Sequence, residues 1–181
     1  VAIGRNAMGG ATTVSWSTAV GDYALDASST GDYNTALGYS TLTENTTGER
    51  NAAVGNNALG VNTTGSYNTA VSNRAASANT TGSYHTVIGD YALAGNTTGE
   101  YNTALGKHSL YSNTTASYNT AVGQASLQAN TTGATNTAVG YHALKNNTTG
   151  AYNTGVGYGA IKTATTGNHL TALGREALED N

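Results

Sequence analysis

Asn96-Thr97-Thr98-Gly99-Glu100-Tyr101-Asn102-Thr103-Ala104-Leu105-Gly106-Lys107-His108-Ser109-Leu110 decides how this chain folds, because its pattern recurs every seventeen residues. Stepping by seventeen from Gly31 meets Gly48, Gly65, Gly82, Gly99, Ala116, Gly133, Gly150 and Gly167. The same step from Gly4 meets glycine each time as far as Gly174, except at Ser72. Two columns that hold register without insertion or deletion mean that one short unit is stacked about ten times. The chain reads as a solenoid, with residues 1–181 forming a single repeat domain.

A repeat of this length is too short for a helix pair, and its columns of Gly, Thr, Asn and Val are poor helix formers. The expected fold is all-β: a parallel β-roll or β-solenoid of about ten 17-residue coils. Two short strands per coil are predicted, one over Tyr-Asn-Thr-Ala-Val/Leu and one over the following x-Ala-Leu-x. The Asn-Thr-Thr-Gly segment would turn the chain back, with Gly supplying a backbone conformation that a Cβ disfavours and Asn and Thr bonding locally. At a strand spacing of ~4.8 Å the coils would make a rod of roughly 50 Å.

Side-chain alternation in a strand places Thr103 and Leu105 on one face and Asn102 and Ala104 on the other. An extended second strand would likewise part Ala92 from Leu93 and Ala143 from Leu144. A thin roll buries only one side. The column Leu42, Leu59, Leu93, Leu110, Leu127, Leu144, Ile161 and Leu178 is therefore assigned to core or trimer packing. On the outside it would be an apolar stripe larger than a soluble monomer normally carries, and self-association would cover it.

Composition excludes several function classes. The chain has 24 Gly, no Pro, no Cys and only 9% charged residues, with a net charge of −3. Without Cys there is neither a disulfide framework nor a thiolate metal site. Seven scattered Lys and Arg make no basic stripe, so nucleic acid is not an expected partner. No apolar run approaches the ~20 residues of a membrane span. Because the sequence begins inside a motif, Val1-Ala2-Ile3-Gly4, it reads as a segment of a longer protein.

Columns of identical residues are the candidate sites. Trp16, Tyr33, Tyr67, Tyr84, Tyr101, Tyr118 and Tyr152 form an aromatic column, interrupted at Arg50 and Thr135. Such rings could stack on sugars as a carbohydrate-binding platform, or could pack on one another between coils. Asn34 and its equivalents suggest an amide ladder in which His85 replaces one rung. Asn45 and its equivalents begin Asn-Thr-Thr, an N-glycosylation pattern that is read here as turn chemistry. Adjacent threonines such as Thr46 and Thr47 cannot both face outward from extended backbone, so the broad Thr-x-Thr face of an ice-binding solenoid is not expected. Asp32 and Glu49 share a column at a spacing that any solenoid imposes, with Glu44 close in sequence, and no pocket is implied. His108 and His142 stand two coils apart, roughly 10 Å, too far to share one metal. No catalytic residue, cofactor or metal site is assigned.

Asn34-Thr35-Ala36-Leu37-Gly38 and Asn136-Thr137-Ala138-Val139-Gly140, each followed by x-x-Ala-Leu, resemble the repeats of trimeric fibre proteins. The likeness is to the heads of trimeric autotransporter adhesins, and more closely to Asn-Thr-Ala-Leu-Gly repeats of phage tail fibres. It spans essentially the whole chain. The resemblance implies a left-handed, homotrimeric parallel β-roll on a virion tail fibre or at the cell surface, in contact with a surface glycan or protein receptor. A structural shaft or adhesin segment is the expected function, with no enzymatic activity. The alternatives are a carbohydrate-binding module built on the Tyr column and, further off, an ice-binding β-solenoid.

Overall fold

A computed structural model describes residues 1–179; the last two residues of the predicted domain lie outside the described residues. Eleven short strands stack in sequence order into one parallel sheet: β1 (Ala2–Ile3), β2 (Thr18–Val20), β3 (Thr35–Leu37), β4 (Ala52–Val54), β5 (Thr69–Val71), β6 (Thr86–Ile88), β7 (Thr103–Leu105), β8 (Thr120–Val122), β9 (Thr137–Val139), β10 (Thr154–Val156) and β11 (Thr171–Leu173). Each residue pairs with its equivalent seventeen positions away, as Thr103 with Thr120 and Leu105 with Val122. The chain is a β-solenoid, as the glycine columns require.

Only one strand forms per coil. The x-Ala-Leu-x stretch is a turn, because the residue before Ala and the Leu after it both take left-handed φ: Tyr91 at 55° and Leu93 at 51°, His108 at 58° and Leu110 at 50°. Alternating handedness abolishes the two-residue period of extended chain, so Ala92 and Leu93 do not part and both are fully buried. The two left-handed residues of each turn together cost roughly 2 to 4 kcal/mol. Burying a leucine returns roughly 1.5 to 3 kcal/mol, the buried alanine beside it adds to that, and both left-handed residues keep backbone bonds to the neighbouring coils. Tyr91 N–H donates to Asn73 O of the preceding coil and Leu93 N–H to Ser109 O of the next.

The core is correspondingly thin. Ala36, Ala53, Ala70, Ala104, Ala121 and Ala138, the middle residues of their strands, face inward and meet the turn's Ala and Leu columns. Leu42, Leu59, Leu93, Leu110, Leu127, Leu144 and Ile161 are all fully buried within a single chain, while Leu178 in the last coil is exposed. The column is therefore interior from Leu42 to Ile161, and these side chains form no stripe on the surface among the described residues. Where Val87 enlarges the strand position, the adjacent coil carries Ala76 in place of leucine, which keeps the core volume nearly constant.

The two glycine columns have different causes. Gly106 has φ +129°, and a Cβ there would lie 2.7 Å from the Gly123 backbone. Glycines of the Asn-Thr-Thr-Gly turn have no such φ, contrary to the expectation that they supply an unusual backbone conformation. They are glycine because of crowding: a Cβ on Gly65 would strike Asn62 Oδ1 and the Gly82 carbonyl.

Candidate functional site

Two buried asparagine columns run inside the coil, and they differ from the expected ladder. In the column of Asn34, Asn51 and Asn68, each Oδ1 accepts the backbone N–H of the next rung at 2.9–3.0 Å. Each Nδ2 donates to a turn glycine carbonyl, as Asn51 to Gly65 O at 2.9 Å. The amide-to-amide ladder lies in the other column, where Asn62 Nδ2 donates to Asn45 Oδ1 at 2.8 Å and also to Gly65 O at 2.9 Å. That ladder stops at Asn147, whose Oδ1 has no partner because Ala164 stands at the next rung; at the other end Ser28 Oγ is unpaired. Since Asn45 and its equivalents are fully buried, the Asn-Thr-Thr pattern is structural within the folded coil.

His85 stands in for one asparagine. Its Nδ1 accepts the Asn102 N–H at 3.2 Å, which requires an unprotonated nitrogen there. Burial lowers its pKa to about 4, against the opposing pull of the Gly99 carbonyl. The folded chain thus prefers the neutral ring, and the unfolded chain takes up the proton near the ordinary value of 6.5. The associated stability is complete above pH 6.5 and is lost as pH falls from 6.5 to about 4, a change of about 3 kcal/mol. The variant His85→Asn restores the rung and should lose about 3 kcal/mol less than the parent between pH 7 and pH 4 in chemical denaturation. Parallel pH profiles would contradict this assignment.

On the surface, the aromatic column is a stack. Neighbouring centroids lie 5.0 Å apart for Trp16 and Tyr33, 5.1 Å for Tyr67 and Tyr84, 4.7 Å for Tyr84 and Tyr101, and 5.1 Å for Tyr101 and Tyr118. Planes differ by 10° or less. Tyr152 stacks on His169 at 5.1 Å, so the histidine at the tyrosine position of the last coil adds a rung. Left-handed φ values of 51° to 63° at Trp16 and these tyrosines set the rings in one orientation, coil after coil. Because each ring covers its neighbour, an interior rung offers solvent its edge and hydroxyl, and only rings beside a gap or at an end present a face. Desolvation raises the Tyr101 phenol pKa, and Tyr84, Tyr118 and Glu100 add to the shift.

Arg50 does not interrupt this stack. Its guanidinium lies 5.2 Å from the Tyr33 ring and 5.3 Å from the Tyr67 ring, and Nη1 donates to the Tyr67 hydroxyl at 2.5 Å. A flat cation thereby serves as a rung. The planar shape of guanidinium was the signal in the sequence. Thr135 is a true gap.

The remaining candidates do not come together as a reaction centre. Asp32 Oδ1 accepts the Ser15 N–H at 2.6 Å, and Ser66 Oγ accepts the Glu49 N–H at 3.0 Å, so this column caps backbone between coils. His142 stacks on Tyr141, its pKa lowered first by burial and then by Lys145 and Lys162. His108 packs edge-on against Tyr91 and Tyr111. A surface cavity of about 250 Å³ borders Arg74, Tyr91 and Tyr111. Among the described residues, no group of three His, Cys, Asp or Glu could hold a metal ion, and no helix is long and apolar enough to cross a membrane.

The outer face of the sheet carries two further columns. Thr35, Thr69, Thr86 and Thr103 form one; Leu37, Val54, Val71, Ile88 and Leu105 form the other, running on through Val122, Val139 and Val156 to Leu173. These side chains are exposed or half-buried, with Leu37 and Ile88 each 47% exposed. Alternation had placed Thr and Leu on a common side, but burial of the leucine turn is what makes this the apolar stripe of the surface.

No family model, curated protein or solved structure matches the chain.

Proposed function

We propose that the chain is a shaft segment of a homotrimeric fibre, displayed on a virion tail or a bacterial surface. It holds a recognition element at a fixed distance and contributes to receptor attachment. The observation that carries this reading is the outer sheet face, an apolar column that runs along all eleven described strands and is flanked by threonine in nine of them, with Ala52 taking that place in β4. At the strand spacing the face is ~50 Å long and ~10 Å wide, or ~500 Å² per chain. Three such faces meeting about one axis would together bury up to ~1,500 Å², the size of a standard specific interface. In-register repetition suits closed association about the rod axis, because each rung meets an equivalent rung of a sister chain. Backbone ladders between successive coils supply stiffness, and each coil contacts only its neighbours, so stability rises with coil number.

Sedimentation of the purified chain should give a mass three times 18.2 kDa. The double variant Ile88→Asn and Leu105→Asn should sediment as a single chain with an unchanged β-rich spectrum, since both side chains lie outside the core. A parent chain that is monomeric at micromolar concentration would overturn the proposal.

A further inference from the structure

The gap at Thr135 is the empty counterpart of the slot that Arg50 fills. Both are single missing rings in one aromatic column, and each is flanked by two tyrosines that have one stacked neighbour on their far side. Around Arg50, Tyr33 and Tyr67 are 45% and 44% exposed, the same as interior rungs of the stack. Around Thr135, Tyr118 and Tyr152 are 60% and 59% exposed. The difference is the ring face that the Arg50 guanidinium covers and that nothing covers at Thr135. Two coil steps separate the Tyr118 and Tyr152 rings by ~10 Å. The guanidinium of Arg50 spans the matching interval, with 5.2 Å to one ring and 5.3 Å to the other.

We propose that the Tyr118–Thr135–Tyr152 slot is a binding site for the guanidinium of an arginine side chain on a partner protein. The chain itself shows the geometry of the complex: a flat cation between two parallel phenol rings, with an N–H donated to a tyrosine hydroxyl as Arg50 does to Tyr67. Thr135 is exposed and too short to reach the level of the rings. The flanking positions Ser117, Ala134 and Ala151 bring no cation to repel the guest. A guanidinium is favoured over an ammonium because it presents a plane to both faces at once, and it sheds its hydration more readily. The proposal does not rest on the trimer, since Tyr118, Thr135 and Tyr152 precede strands β8, β9 and β10 and are not among the apolar residues of the strand face.

N-acetyl-arginine amide titrated into the full chain, with tyrosine ring resonances observed by NMR, tests the assignment. Shifts at Tyr118 and Tyr152 should exceed those at Tyr84 by about threefold or more, since Tyr84 is covered on both faces. The variant Thr135→Tyr, which restores the repeat's own residue, should abolish the difference while leaving the fold intact. N-acetyl-lysine amide should produce clearly smaller shifts at the pair. Equal shifts at all tyrosines, shifts that survive in Thr135→Tyr, or a stronger response to N-acetyl-phenylalanine amide than to the arginine compound would each overturn it.

Discussion

Leu110→Asn should destabilise the chain by roughly 3 to 5 kcal/mol, the largest loss expected from any single exposed-or-buried comparison in the repeat. Leu110 is fully buried, in contact with the alanines of the sheet's inner face. Truncating such a side chain typically costs roughly 2 to 5 kcal/mol, and the amide introduced would be left without partners in an apolar interior. No water-facing alternative exists, because the left-handed φ of 50° and the bond from Leu110 N–H to Ser126 O fix the direction of the side chain. Thermal or urea unfolding of the variant gives the comparison. A loss below about 1 kcal/mol would mean that the column is solvent-facing. The same change at Ile88, on the outer sheet face, should leave the folded chain intact and affect only association.

For Gly106→Ala we expect a loss of roughly 2 to 5 kcal/mol, from two contributions that add. A φ of +129° is unfavourable for any residue with a Cβ, and that Cβ would lie 2.7 Å from both the carbonyl carbon and oxygen of Gly123. The offending atoms are backbone and cannot swing aside, so relief requires the coils to separate. Fewer unfolded conformations for Ala return only about 0.4 to 1 kcal/mol. Ser72 occupies the same column with φ 120°, which shows that one rung absorbs a Cβ. It does not show that the strain is absent. Hydrogen exchange at Gly106 and Gly123, whose N–H groups bond the carbonyls of Ile88 and Leu105, should accelerate in the variant ahead of distant coils. Unchanged protection there would contradict the crowding argument.

Legibility varied from column to column. The repeat length, the strand at Thr103–Leu105 and the common side of Thr and Leu all follow from periodicity, since register and alternation are properties of the covalent sequence. By sequence the turn at His108–Leu110 reads as a strand, because a leucine gives no local sign of left-handed backbone. Only its buried contacts and its bonds to both neighbouring coils make that conformation favourable. For the same reason the sequence leaves the leucine column free for either core or association, and only the turn commits it to the interior. In the surface stack, the aromatic rungs were evident from spacing, yet Arg50 and Thr135 looked like equal interruptions. One side chain is long and flat enough to rejoin the ladder, and the other is not.

What the sequence determined by itself is the solenoid: a seventeen-residue step repeated in register admits only stacking of like upon like. Tertiary structure alone decided which apolar column is core and which is surface, which asparagines bond to one another, and which gap in the aromatic stack stays open. Each of these depends on the direction of a side chain across a coil closed by left-handed turns, and that direction is set by the neighbouring coils and not by the residue's place in the repeat.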